Sequence, residues 1–303
     1  MNKKYGRLAY PYLLWMIVFT IVPLLLVAYF AFTAYDANGD LFFTLNGFKN
    51  IFSTDRQASL SIFGASSFFG HSIVLPIYVK SFVESLIFAL LSTAICLVLG
   101  FPAAWILASL SINKKRGSAL LLFLFVMPMW MNALLRTYAW LALLEPMGIV
   151  NNLLTSFNLP PLQLIYNDFG ISLGLVYNYL PFMVLPIYSV LVKISPSLLE
   201  AASDLGANRG TTLRRVVMPM SVPGVLSGIN MVLMPAMTTF LIPDLLGGGR
   251  YLLIGNAIER QYMVSRDYTT GSALSIVLLV FILISMQIVN RNVDPEEAQG
   301  GLI

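Results

Sequence analysis

Glu200-Ala201-Ala202-Ser203-Asp204-Leu205-Gly206, closing with Val216-Val217-Met218-Pro219, is the stretch that organises the chain. It lies in a polar interruption, from Lys193 to Arg215, between two long apolar runs, and it is too short to be a domain. Ser195-Pro196 opens it as an N-cap candidate with proline at the first helical position, where a missing N–H costs nothing. Leu198, Ala201, Ala202 and Leu205 fall at helical spacing on one narrow face. Gly206 is expected to end that helix, since a residue without Cβ takes the left-handed conformation of a C-terminus. A second short helix is expected from about Thr211 into the next apolar run. Two short helices meeting at a glycine beside a membrane make a knob for a partner to grip.

Spacing gives this stretch a likeness. Glu200, Ala201, Ala202, Gly206, Val216, Met218 and Pro219 match Glu-Ala-Ala, three residues, Gly, nine residues, Ile-x-Leu-Pro, with Val for Ile and Met for Leu. The segment thus resembles the "EAA" coupling loop of ABC-importer permeases. The resemblance implies that Glu200, Ala201, Ala202, Asp204, Leu205 and Gly206 lie in a groove of a cytoplasmic ATPase and pass its closure to the membrane helices.

Composition agrees with a membrane location. Of 303 residues, 58% are hydrophobic and 11% charged, against roughly 25% charged in soluble domains. The lone cysteine, Cys96, lies in an apolar run and is read as a packing residue. The basic residues cluster at the ends of apolar runs, so the net charge of +4 does not point to nucleic acid. The run 8–35 is too long for a signal-peptide core of roughly 7–15 residues and is expected to remain a span.

A bilayer core of ~30 Å takes about 20 apolar helical residues, and lipid offers the backbone no alternative partner. Six stretches qualify: 8–35, 85–112, 117–144 (interrupted by Arg136), 169–192, 216–243 and 268–290. The fold class expected is therefore all-α, a polytopic membrane protein forming one transmembrane domain over 1–303, with its coupling loop at 193–219. The Lys/Arg bias of the short loops places both termini and that loop in the cytoplasm. Lys3, Lys4, Arg7, Lys114, Lys115, Arg116, Lys193, Arg209, Arg214, Arg215 and Arg291 share that side. Residues 36–80 are expected as an outer, partly helical excursion, because a seventh span would put basic loops outside. His71 lies in it without a second His or Cys nearby, so a metal role is not expected. No G-x-x-x-x-G-K-[ST] sequence occurs, so ATP and its magnesium belong to another chain, and no catalytic constellation appears.

The likeness extends beyond the loop. Cys96 to Trp105, Met127 to Arg136, Leu180 to Tyr188 and Pro243 to Gly249 are similar to the B-type permeases of spermidine/putrescine importers. Arg56 to Pro76 is longer than that branch leads one to expect. The resemblance implies a second homologous permease, a dimer of ATP-binding subunits and an extracytoplasmic polyamine-binding protein, all at the plasma (inner) membrane. Sibling permeases carry ferric iron, thiamine, opines or anions. A stand-alone secondary transporter would need carboxylates at mid-membrane, and the six spans show none near a centre.

A polyamine path needs carboxylates for the ammonium groups and aromatic faces for the cations and methylene spacers. Asp244, at the outer end of the fifth span, is the first candidate; a helix cap or a partner for Arg250 is the alternative. Glu84, at the outer start of the second span, can attract cations or complement the helix dipole. Trp130, inside the third span, matches a tryptophan of the family's path, with plain packing as the alternative. Tyr177, with Trp140, Tyr138 and Tyr179, is a weaker aromatic candidate, since outer belts use such residues. Arg136 does not suit a cation path; it is expected to pair with Glu145 or an acid of the partner permease, or to snorkel outward.

Overall fold

The computed structural model describes residues 10–35, 40–55, 57–60, 74–112 and 117–290. The basic clusters at 3–7 and 114–116, Asp36, Arg56, His71, Arg291 and the acidic tail lie outside the described residues. The described residues are mainly helical, with two short antiparallel strand pairs. Helix α1 runs Tyr10–Phe32, through a π turn at Ile17–Ile21. Strands β1 (Thr33–Tyr35) and β2 (Leu41–Phe43) pair antiparallel, then come α2 (Asn46–Ile51) and a second pair, β3 (Gln57–Ser59) with β4 (Val74–Pro76). These pairs add strands to the excursion expected to be partly helical.

The remaining helices are α3 (Ile77–Ile112), α4 (Ser118–Val126), α5 (Ala133–Leu144), α6 (Ile149–Ser156), α7 (Asp168–Leu191) and α8 (Pro196–Asp204). They are followed by α9 (Arg209–Thr238), α10 (Leu241–Leu246), α11 (Ile254–Arg260) and α12 (Tyr268–Asn290). Among the described residues, six helical stretches are long and apolar enough to cross a membrane, the third of them, Ala133–Ser156, being interrupted at Glu145.

At the centre, α3, α7 and α9 pack on one another. Gly224 and Gly228 of α9 sit one turn apart against α7, where a Cβ on Gly224 would lie 2.8 Å from the Pro186 carbonyl oxygen. Such a small-xxx-small seam lets helix backbones approach where burial in lipid supplies no hydrophobic drive. Inside the bundle, Ser92 Oγ donates to the Phe88 carbonyl (2.7 Å) and Thr93 Oγ1 to the Ala89 carbonyl (2.6 Å), which keeps both hydroxyls satisfied. Two buried clusters result. One, around Cys96, Ala104, Met183, Ile187 and Val217, lies toward the α8 loop; the other, around Phe88, Leu175, Leu246 and Ile254, lies toward the far end. Helix α1 is unburied along its apolar window and rests mainly on α12, where Phe30 meets Tyr268 with ring centroids 6.0 Å apart.

Three boundaries differ from the sequence reading. Helix α3 begins at Ile77 rather than 85, because the i,i+4 pair Lys80–Glu84 (3.5 Å) and the bond from Ser81 Oγ to the Ile77 carbonyl (2.9 Å) carry it outward. Its 36 residues, at 1.5 Å each, make a rod of about 54 Å, longer than a bilayer core. The stretch 117–144 is not one helix. A 3-10 turn at Met127–Trp130 ends α4, Met131 turns extended (ψ 146°), and Asn132 Oδ1 caps α5 by accepting from Leu134 N at 2.8 Å. Pro128 removes a donor there and Asn132 supplies a new start. The apolar stretch 133–156 likewise divides at Glu145, whose ψ of 155° separates α5 from α6. Finally, 216–243 is cut at Thr239 (ψ 139°), so that α9 starts within the loop and Asp244 belongs to the separate α10.

Candidate functional site

The loop between α7 and α9 forms a projecting knob. Ser195 holds the N-cap position of α8 with Pro196 at the start of the helix, but its hydroxyl bonds Ser197 Oγ (2.6 Å) rather than a backbone N–H. At the other end, Ala207 N donates to the Ala202 carbonyl (3.0 Å) and Gly206 N to the Ser203 carbonyl (2.9 Å). This is a Schellman closure, and it requires the left-handed φ of +82° at Gly206. A Cβ there would meet nothing within 4 Å, so glycine is demanded by conformation rather than by space. Asn208 Oδ1 then accepts from Thr211 N (2.8 Å), and α9 starts at once.

Glu200, Ala201, Ser203 and Asp204 are exposed, Ala202 is half-buried, and Leu205 stands 89% exposed at the tip. Leu199 and Leu213 face inward to the nearer core cluster. Between the knob and the end of α3, Trp105, Ser109, Leu199, Ser203, Arg209 and Leu213 line a cleft of about 610 Å³. The knob is therefore a rigid, apolar-tipped projection whose second helix continues into the bundle.

The path candidates lie toward the opposite end and do not form one cluster. Glu84 is 3% exposed, two turns inside α3 rather than at its start, which replaces the helix-dipole reading; it pairs with Lys80. Structure adds a residue the sequence reading passed over: Asp168, 7% exposed, in the first turn of α7. Tyr251 bonds to Asp168 and packs edge-on against Phe88, with ring centroids 6.1 Å apart. Burial raises the Tyr251 phenol above the usual tyrosine range; the bond to Asp168 and the negative charges of Asp168 and Glu84 raise it further. Asp168 reads locally as an ordinary helix-start acid; only the return of residues 247–254 over it makes it buried.

Trp130 stands at the break between α4 and α5, 75% exposed and edge-on to Phe123 at 5.5 Å. Within this chain its ring contact is with Phe123, and the rest of the indole faces outward. Tyr177 is half-buried against Trp140, with ring centroids 5.1 Å apart. Tyr179 donates to the Pro235 carbonyl (3.2 Å) at the end of α9. Asp244 is exposed on α10 and, among the described residues, makes no ion pair with Arg250. Arg136 is buried, and among the described residues no carboxylate pairs with it, so neither outward snorkelling nor a Glu145 pair is observed.

A polytopic bundle of this kind with a projecting knob between two of its long helices is the architecture of a permease. Residues 2–298 match the model of the binding-protein-dependent transport system inner membrane component, and the chain belongs to that family. It is a multi-pass inner-membrane permease subunit. The spermidine/putrescine transport system permease protein PotB of Haemophilus influenzae is 34% identical, covering 97% of this chain and 99% of that one. PotB of Escherichia coli is 37% identical over 88% of this chain and 89% of its own. Among solved structures, a bacterial ABC transporter importing the polysaccharide alginate superposes with a TM-score of 0.69 at 19% identity, over 96% of each chain. The alginate transporter in complex with its pentasaccharide-bound periplasmic protein gives 0.66 at 18%. At that identity the likeness is one of fold.

Proposed function

We infer that the chain is one half of the alternating-access path of an ATP-driven importer of polyamines, spermidine or putrescine. The observation that carries this is identity of 34–37% with spermidine/putrescine permeases along almost the whole chain. The site chemistry supports it, with buried Glu84 and Asp168, exposed Asp244, and the aromatic faces of Trp130 and Tyr177 available to ammonium groups and methylene spacers. A second homologous permease completes the path, and an extracytoplasmic binding protein delivers the cargo. A cytoplasmic ATPase dimer, which binds ATP and magnesium, grips the knob from Glu200 to Gly206. Both chain termini share that side.

The test is reconstitution of the four-component complex in proteoliposomes with the cognate binding protein outside. Radiolabelled spermidine and putrescine should accumulate only with ATP in the lumen at the ATPase face. Uptake that persists without ATP or without the ATPase refutes the importer reading. ATP-dependent uptake of thiamine, ferric iron or sulfate, with none of polyamine, refutes the cargo alone.

A further inference from the structure

Arg136 is 8% exposed on α5, and its Nε and Nη1 are buried without a hydrogen-bond acceptor. A guanidinium stays charged in proteins, and a buried charge without a counter-ion is strongly unfavourable. A counter-ion is therefore expected, from this chain in another state or from the partner permease. Glu145 lies at the C-cap of the same helix, nine residues on and so about 13 Å along the axis, with its own side chain exposed. Glu84 is engaged by Lys80, and Asp168 by Tyr251.

Asp244 remains. It sits on α10, which packs directly against α5, and among the described residues no ion pair or hydrogen bond engages its carboxylate. Tyr179 of α7 donates to the Pro235 carbonyl (3.2 Å) and so sits beside the corner from which α10 leaves α9. Asp244 N donates to the Phe240 carbonyl (3.1 Å), which places Asp244 one helical turn beyond that corner. Helix α10 has six residues; Ile242, Pro243 and Leu246 are buried, with Ile242 and Leu246 seated against Gly174 of α7, which fixes the helix, while Asp244 is on its exposed side. The carboxylate therefore reorients by turning its own side chain rather than the helix.

We propose that Arg136 is a positioning residue for Asp244: the carboxylate alternates between the Arg136 guanidinium and an ammonium group of the cargo, and Arg136 displaces the cargo once it has passed. The proposal rests on the cationic-cargo reading above. It accounts for a buried cation beside a cation path. Arg136 serves as the resident ion that the cargo replaces.

Two measurements on the complete complex test it. Spermidine uptake is followed against the concentration of loaded binding protein. Arg136→Gln should lower the half-saturating concentration at least threefold and slow the maximal rate, because Asp244 is freed but cargo is not displaced. Asp244→Asn should raise it at least tenfold, Arg136→Lys should resemble the parent, and Arg136→Gln should have no further effect in the Asp244→Asn background. Equal shifts from Arg136→Gln in both backgrounds overturn the proposal. The second measurement needs no loss of Arg136. In a Cys96→Ala background, Asp244→Cys should react at least fivefold faster with an anionic than with a cationic methanethiosulfonate of similar size. A ratio of one or less overturns the proximity of the two residues, whichever cargo the complex carries.

Discussion

Leu205 gives the knob its sharpest test. It is 89% exposed, so almost its whole side chain is available for burial by a partner and almost none contributes to the fold of this chain. Burying a leucine is worth roughly 1.5–3 kcal/mol, and Leu205→Ala keeps only the first carbon of that side chain. The expected loss of affinity for the ATPase is about 1.5–2 kcal/mol, or roughly 10–30-fold in dissociation constant. The stability of the permease itself should move by no more than about 0.5 kcal/mol, as for other surface substitutions. Affinity is measured by titrating labelled ATPase onto permease in nanodiscs, and stability by thermal unfolding of the same preparation. Gly206 supplies the companion test. Gly206→Ala forces a Cβ into the left-handed region at about 1–2 kcal/mol, whereas Gly206→Asn, which tolerates that region, should retain coupling. An unchanged dissociation constant for Leu205→Ala, or equal behaviour of the alanine and asparagine variants at 206, refutes the reasoning.

Two further outcomes follow from the core and the far end. Gly224→Val, with its Cβ directed at the Pro186 carbonyl 2.8 Å away, should destabilise the bundle by about 1–3 kcal/mol, read as a lower unfolding temperature; Gly210→Val in the open knob should not. Tyr251 carries a pH signature. Its phenol is raised in the folded protein by burial first and by Asp168 next, so the stability it contributes is complete below the unfolded value of about 10. That contribution is lost as pH rises through the folded value. Tyr251→Phe should therefore lose less stability between about pH 9.5 and 12 than the parent does, in unfolding midpoints taken across that range.

The spacing from Glu200 to Pro219 made the knob legible because it is local: a proline start, a glycine stop and the entry to a helix all lie within one contiguous stretch. Helices α7 and α12 begin nearly where hydropathy starts the fourth and sixth stretches, since Asn167 and Asp267 cap their first turns. Hydropathy failed where polar side chains remain inside a helix or where apolar sequence stops being helical. Lys80 and Glu84 looked like the edge of a span, yet their pairing extends α3 by two turns. Met127 to Asn132 reads as continuous lipid-soluble helix, yet Pro128 and the Asn132 cap break it. The far-end carboxylates were less legible still. The burial of Asp168 and the isolation of Arg136 depend on which distant segment returns over them, and no local pattern encodes that.

The continuity of α9 carries the proposed coupling furthest. The knob's second helix turns into the bundle without a break: Arg209–Thr212, a π turn at Leu213–Val217, then Met218–Thr238. At 1.5 Å per residue these 30 residues make a rod of about 45 Å, reaching from the knob to the Thr239 corner that carries Asp244. Because α9 meets α7 through Gly224 and Gly228, the two backbones approach closely, with Val190 and Met183 of α7 filling the space each glycine leaves, and the two helices are expected to move as a packed pair. Inserting two glycines after Val217 should leave the knob's Schellman closure and its grip on the ATPase unchanged while softening the rod at its base. The expected result is ATP hydrolysis at near-parental rate with polyamine uptake reduced at least tenfold in proteoliposomes. Uptake that survives the insertion at parental rate would show that force reaches the far end by another element, α3 being the only other central helix that meets the knob's cleft.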